Sequence, residues 1–528
     1  MFNSKDIPYA MGCVVMLFFL IKFSQNLPKV HALDIFGIIF GIGIAVSIRI
    51  GGLLLGGYFL TFLGMKFIFN KQFRTLYFSQ TPTKKIGLLV FALLIVVSGY
   101  LLGLIFYPNF WEEPFQHISK ALSVVSDFPA KITMLFEGKL IKSTDLPDNY
   151  LIKSLLISIP FHVLILIPLV FFLIPKMTKN YGISNILTLC LTCFFPILYL
   201  LYKEAALYNG WRHILFFYPS LIILISLALK NILFPFKKKK HQYFVIMILG
   251  CLIVKTGIWQ CTNSIFQYAY YNELVGGAKN AYENYDNDYQ QLGVSNGVKW
   301  LLKNEEIFKE EKRKKKVKIV SNNAHALNAY FDTSALNVQF VHTGIRKWKN
   351  RDWDYAVVST IFLTPRVRDA VFPPKDVFHV QQIDGFNVAY VVKRKNKNNV
   401  FGLNAIKQKQ FPKALSLFLN AYQYDPANLD VSLNLAYTYA SIGNGDESIK
   451  HAKEYLKVFP NSWEAHYTMG IGCLFKKDYI NSEKSLIRAA NLNPKEKKIL
   501  SYLMKVYNET NSPKKANKIA KRLASLKK

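Results

Sequence analysis

Four places in the first half of the chain set charged side chains directly beside long apolar runs: Lys5-Asp6, Arg49, Glu112-Glu113 and Arg212-His213. Arginine and histidine at a helix start suit phosphate oxygens, because guanidinium and imidazole donors form strong charge-assisted hydrogen bonds with them. A carboxylate in the same place suits activation of a hydroxyl as general base, which makes Asp6, Glu112 and Glu113 weak catalytic candidates. Each has a plainer reading. Lys5 and Asp6 line an outer cavity or cap a helix. Arg49 and Arg212-His213 bind a lipid phosphate or anchor an interface, the latter beside Trp211. Glu112 and Glu113 order a loop. Cys190 and Cys193 form a C-x-x-C inside an apolar helix without a second pair, which reads as core and not as a metal site.

The elements that must carry these groups follow from hydropathy. The 528 residues are 51% hydrophobic yet carry a formal charge of +33, which implies that two regions face two solvents. Residues 1–257 hold 24 basic and 9 acidic residues between apolar runs; residues 258–528 hold 42 and 24 with no such run. Six cysteines exclude a disulfide scaffold, and 15% aromatic content excludes wholesale disorder. Runs near 33–49, 51–69, 86–107, 152–174, 184–202, 213–229 and 242–259 approach the length of about 20 apolar residues that crosses a bilayer. Met11–Ile21 is a shorter run. Seven or eight helices are therefore expected in a polytopic α-helical membrane domain over 1–260. Residues 22–32, 66–85, 176–179 and 230–240 carry Lys and Arg and no acid, whereas 108–150 holds four Lys against six acids. The positive-inside rule puts the first set in the cytoplasm and everything after Trp259 outside a cytoplasmic membrane. Gly37, Gly41, Gly52 and Gly56 fall at small-xxx-small spacing, which lets helices approach closely.

Residues 261–395 read as a small extracytoplasmic α/β domain, with a helix over Leu292–Leu302 and strands at 317–321, 337–342, 354–360 and 377–392. The last is a hairpin through Asp384-Gly385. The basic loop Lys309–Lys316 lacks the interleaved aromatics of single-strand binders, so no nucleic acid is expected. Residues 396–528 read as an all-α solenoid. Pro426, Pro460 and Pro494 are 34 apart, the tetratricopeptide period. Gly402, Ala436 and Gly470 hold one small position of the repeat; Ala414, Ser448 and Ser482 hold a second. Ala421 and Ala489 hold a third, from which Tyr455 departs. A degenerate unit with Ala516 and Ala520 follows as a cap. Such repeats predict a protein partner.

The segments Asn3–Tyr9, Ser47–Gly52, Leu207–His213 and Tyr270–Gly277 with Asp288-Tyr289, together with the Pro160 helix, resemble a polytopic GT-C glycosyltransferase, the bacterial protein-mannosyltransferase-like group. The resemblance runs from Asn3 to about Leu302. It implies transfer of a sugar from a polyprenyl-phosphate carrier to an acceptor outside the membrane, with no cofactor. Lys5, Arg49, Arg212 and His213 would then hold the lipid phosphate or sugar. Asn209 stands where the family has Asp. The family's base is expected upstream of the Asn3 segment, so either the catalytic loop lies in residues before Met1, or a separate polypeptide supplies it, or this copy is inactive. The alternatives are a non-catalytic membrane scaffold built on the repeats, and an O-antigen ligase or polymerase-like enzyme. Against the last, 108–150 holds His117 but no Arg.

Overall fold

A computed structural model describes residues 5–107, 111, 131–233, 239–308 and 316–526. Glu112 and Glu113 lie outside the described residues. The chain divides into two compact units, residues 1–290 and 291–528.

The first unit opens with α1 (Asp6–Asn26), α2 (Ala32–Ile48), α3 (Leu53–Phe69), α4 (Lys71–Phe78) and α5 (Pro82–Leu104). A hairpin of β1 (Thr133–Phe136) and β2 (Lys139–Lys142) follows. Next come α6 (Tyr150–Ser158), α7 (Phe161–Leu164), α8 (Ile167–Tyr181), α9 (Ile183–Tyr202), α10 (Tyr218–Leu233), α11 (Lys239–Thr262) and the short α12 (Gly277–Ala281). Among the described residues, 7 helical stretches are long and apolar enough to cross a membrane, and α2 is a shorter apolar helix. The Met11–Ile21 run is the middle of the 21-residue α1, whose ends are polar.

Three details differ from the expected pattern. The run 152–174 is not one helix. Ile159, just before Pro160, is extended at φ −72°, ψ 135°, as the proline ring demands, and ends α6. Part of 108–150 is a β-hairpin and not loop. Its Glu137-Gly138 turn has φ 51° and 72°, a shape that Asn-Gly would have announced and Glu-Gly does not. Residues 261–290, grouped with the α/β domain in the sequence, fold on the first unit. Asn272, 1% exposed, gives its side-chain amide to the carbonyls of Leu156 and Ile159, both at 2.6 Å.

Small residues seat α1 on α2. A Cβ on Gly41 would stand 2.5 Å from the Met16 backbone nitrogen, and one on Gly12 would stand 2.8 Å from that of Ala45. Cys193 is buried and Cys190 half-buried, both as free thiols.

The second unit begins with α13 (Leu292–Asn304), β3 (Val317–Ser321), α14 (Ala324–Tyr330), β4 (Val338–His342), β5 (Tyr355–Ser359), α15 (Pro365–Val371), β6 (Val377–Ile383) and β7 (Phe386–Lys393). The five strands run in the order β4-β3-β5-β7-β6, with β3 parallel to both neighbours and β7 antiparallel to β5 and β6. Val294, Val298 and Leu301 of α13 pack on one face of the sheet. Trp348, Trp353 and Phe372 cover the other.

Four helix pairs complete the chain: α16 (Asn398–Lys407) with α17 (Phe411–Tyr424), α18 (Leu429–Ser441) with α19 (Gly445–Val458), α20 (Trp463–Phe475) with α21 (Tyr479–Leu492), and α22 (Lys497–Glu509) with α23 (Pro513–Ser525). The small positions are where the helices of a pair touch. A Cβ on Gly402 would strike the Phe418 ring, and one on Gly470 the Leu486 side chain. Two buried serines fill the second position for a reason of their own: Ser448 donates to the Ala436 carbonyl at 2.9 Å and Ser482 to that of Gly470 at 2.7 Å.

The turn inside each pair repeats too. Lys409, Gly443, Lys477 and Asn511, again 34 apart, follow the C-caps of α16, α18, α20 and α22 with φ of 60°, 84°, 60° and 46°. A left-handed residue at this position closes a helix and suits glycine best. Lysine there costs about 1–2 kcal/mol of backbone strain. Lys409→Gly and Lys477→Gly are each expected to raise stability by about 1 kcal/mol, read as an upward shift in the thermal unfolding of this region.

Candidate functional site

The first turn of α1, the end of α2 and the start of the 3-10 segment Arg212–Phe217 converge on one carboxylate. Asp6 is 5% exposed; Oδ1 pairs with Arg49 Nη2, and Oδ2 stands 3.7 Å from Arg212 Nε. Two cations thus share one anion, and the cluster keeps a formal charge of +1. Arg49 is the C-cap of α2 in extended conformation, so its side chain leaves the helix toward α1. Tyr9 of α1 meets Phe216 edge-on at 5.1 Å and fixes the approach. Lys5 is the exposed N-cap of α1 and enters no salt bridge among the described residues.

Arg212 is aimed by the turn before it. Asn209 and Gly210 have φ 55° and 70°, a left-handed pair that glycine and asparagine tolerate, so Asn209 suits the backbone at this position. Tyr150 accepts the Gly210 N–H at 3.0 Å, and Trp211 Nε1 donates to Ser158 Oγ at 2.5 Å. The turn is therefore latched to α6. The guanidinium lies over the rings of Tyr208 at 5.2 Å and Tyr289 at 5.8 Å. His213 packs against Tyr208 at 4.5 Å, with Nε2 buried and without a hydrogen-bond partner.

Below this turn lies a cavity of about 540 Å³, inside the range of about 300–1,000 Å³ usual for small-molecule sites. Arg212 is the one cation and Asp286 the one carboxyl among its described lining residues; Arg49, His213 and Lys5 are not among them. Seven tyrosines and Trp211 supply its aromatic faces, with Ser154, Ser158 and several amides between them. Sequence reasoning singled out Asp288-Tyr289. Asp288 is fully buried and takes the Tyr268 hydroxyl, while Asp286, two residues earlier, faces the cavity. Asp286 Oδ1 accepts the Leu135 N–H at 2.9 Å, and its own N–H donates to the Leu135 carbonyl at 3.2 Å. An extended segment bridging at Phe136–Tyr285 makes this alternation, and the hidden hairpin β1–β2 is why it could not be read. Burial pushes the Asp286 carboxyl up to about 7, opposed only by the Leu135 hydrogen bond.

In the second unit, the faces of α16, α18 and α20 carry polar side chains that the chain itself occupies. Asn399 gives its amide to the Lys349 carbonyl at 3.2 Å and to Asn350 Oδ1 at 2.8 Å; Asn434 reaches the same oxygen at 3.0 Å. Lys347 meets Glu464 at 3.1 Å and Lys349 meets Asp425 at 2.8 Å. Tyr455 and Phe459 pack with Val367 and Val371 of α15. This explains the departure at Tyr455: the larger ring fills the junction with the sheet. Burial pushes Asp430 up to about 7, with Lys349 and Lys347 lowering it, and its Oδ2 is buried without a partner.

Comparison with known proteins bears on this region. A tetratricopeptide-repeat family model matches residues 405–469. The crystal structure of MamA is 25% identical, covering 24% of this chain and 74% of that one, with a TM-score of 0.22. A MamA fragment, 41-end, from Desulfovibrio magneticus RS-1 is 15% identical, covering 25% and 77%, with a TM-score of 0.24. TTC0263, a thermophilic TPR protein of Thermus thermophilus, is 18% identical, covering 24% and 71%, with a TM-score of 0.23. The C-terminal part of the chain is a tetratricopeptide-repeat region, and repeats of this kind support binding of a partner protein.

Two outcomes follow from the buried charges. Asp6→Ala leaves two arginines facing each other and is expected to cost about 3–5 kcal/mol, seen as a lower melting temperature in detergent; adding Arg49→Met recovers part of it. Asp430 stays protonated when folded between its unfolded pKa near 4 and about 7, so it destabilises the fold increasingly as pH rises through that window and fully above it. Asp430→Asn is expected to stabilise the second unit by roughly 2–4 kcal/mol at pH 8 and by nothing near pH 3, measured by denaturant unfolding.

Proposed function

We propose that the chain is a multi-pass membrane protein of the cytoplasmic membrane. It takes a sugar from a polyprenyl-phosphate carrier on the outer face, while its repeats dock a partner protein. The observation that carries the reading is the Asp6–Arg49–Arg212 cluster, whose third member also lines an aromatic cavity. Two guanidiniums with one carboxylate between them retain one positive charge for a phosphate. The two arginines also offer planar donor forks that a phosphate can share. The apolar helices favour a lipid setting. The apolar window of α11 buries none of its residues against the chain, and Ile246, Met247, Ile253, Val254 and Ile258 are all exposed. In water such a face would lose about 25 cal/mol for each Å² left uncovered. In hydrocarbon it loses nothing.

Lys5, exposed at the mouth of the cluster, would meet the headgroup layer. His213, turned onto Tyr208 and away from the cavity, would steady the ring beneath Arg212 and not touch phosphate. A non-catalytic scaffold needs only the repeats. It gives no reason for a cation and a carboxyl to face one tyrosine-lined cavity.

Farnesyl phosphate is the probe. The chain in nanodiscs is expected to bind it, and Arg212→Ala to weaken binding at least tenfold with its helical content unchanged by circular dichroism. Equal binding by the variant would remove Arg212 from the phosphate site.

A further inference from the structure

Among the described residues the tyrosine-lined cavity holds one cation and one carboxyl, and the proposed function uses only the cation. The residue that bears the carboxyl is fixed at three points, one of them on the carboxyl itself. Asp286 is tied to both backbone groups of Leu135, and its own carbonyl accepts the Tyr271 hydroxyl. No salt bridge among the described residues neutralises it. The titratable groups that face it are the Tyr150 and Tyr271 hydroxyls, both pushed up by burial and by this carboxylate. Lys153 lies over the Phe136 and Tyr285 rings and is paired with Glu137. A carboxyl held by one backbone hydrogen bond, with no ion pair among the described residues, in a cavity large enough for a sugar ring can take the proton of an attacking hydroxyl. The neutral hydroxyls and amides around it match a neutral polyol better than a polyanion, for which one arginine is too few.

We propose that Asp286 is the general base of this chain, acting on the hydroxyl that attacks a prenyl-phosphate-linked sugar held by Arg212. The assignment rests on the function proposed above. In the step, the acceptor O–H breaks and its proton passes to the Asp286 carboxylate. The acceptor oxygen bonds to the anomeric carbon as the bond from that carbon to the phosphate oxygen breaks. The electron pair leaves with the phosphate, whose charge the Arg212 guanidinium meets. Water can stand in for the acceptor, giving free sugar and prenyl phosphate. The environment that raises Asp286 toward neutrality places its working range near pH 7.

The test uses the full chain in nanodiscs with farnesyl-phosphate-linked glucose, galactose, mannose and N-acetylglucosamine, following release of farnesyl phosphate from pH 5 to 9. At least one donor is expected to turn over, with a rate rising to half its plateau near pH 7. Asp286→Asn is expected to lower that rate at least 100-fold while binding farnesyl phosphate as before; Asp286→Glu is expected to restore part of it. An Asp286→Asn chain as fast as the unaltered one overturns the assignment. So does a chain that binds farnesyl phosphate yet releases it from none of the four donors, and the lipid-phosphate reading then stands. A chain that does not bind farnesyl phosphate at all overturns both.

Discussion

One carboxylate, Asp6, ties three segments of the first unit together. It is buried where three segments distant in sequence meet, with two arginines beside it. Arg49 and Arg212 tolerate their proximity because Asp6 stands between them. The start of α1, the end of α2 and the Asn209–Phe217 segment are thereby placed by charge, while the close glycine contacts of α1 and α2 place them by shape. A +1 remainder results, held on rigid elements beside a cavity.

The cavity depends on a second set of ties that involve no net charge. The hairpin β1–β2 extends along the chain at Tyr285, α6 supplies Tyr150 and Ser158, and Asn272 pins the return segment to the broken end of α6. Pro160 does more than interrupt a helix: the carbonyls it frees at Leu156 and Ile159 are the ones that Asn272 satisfies. Aromatic rings then close the walls.

Much of this was legible in the sequence. The apolar runs located most of the long helices, though not the break at Pro160 or the full length of α1, because a period-free stretch of that length has few other uses. The prolines 34 apart and the small positions marked three helix pairs, and the degenerate unit with Ala516 and Ala520 marked the fourth. Asp384-Gly385 gave the β6–β7 turn, since both residues adopt positive φ readily. Arg49, Arg212 and Asp6 were named, but their meeting was not readable, because nothing local links residues 6, 49 and 212. Asp286 was missed for a similar reason. Its orientation is set by a hairpin about 150 residues earlier whose Glu-Gly turn is a poor hairpin signal. The occupied repeat face was invisible as well: Lys347, Lys349 and Asn350 look like ordinary polar loop residues until Asn399 and Asn434 stand opposite them.

The contact between residues 347–350 and the first helices of three successive pairs has an evolutionary corollary. Solenoids commonly lengthen or shorten by duplicating or deleting whole modules. Here the proximal modules are clamped at fixed spacing by a strap from the neighbouring sheet, so inserting or removing one between Asn399 and Glu464 would throw every later anchor out of step. Growth and loss are left to the modules beyond Glu464, which this strap does not anchor.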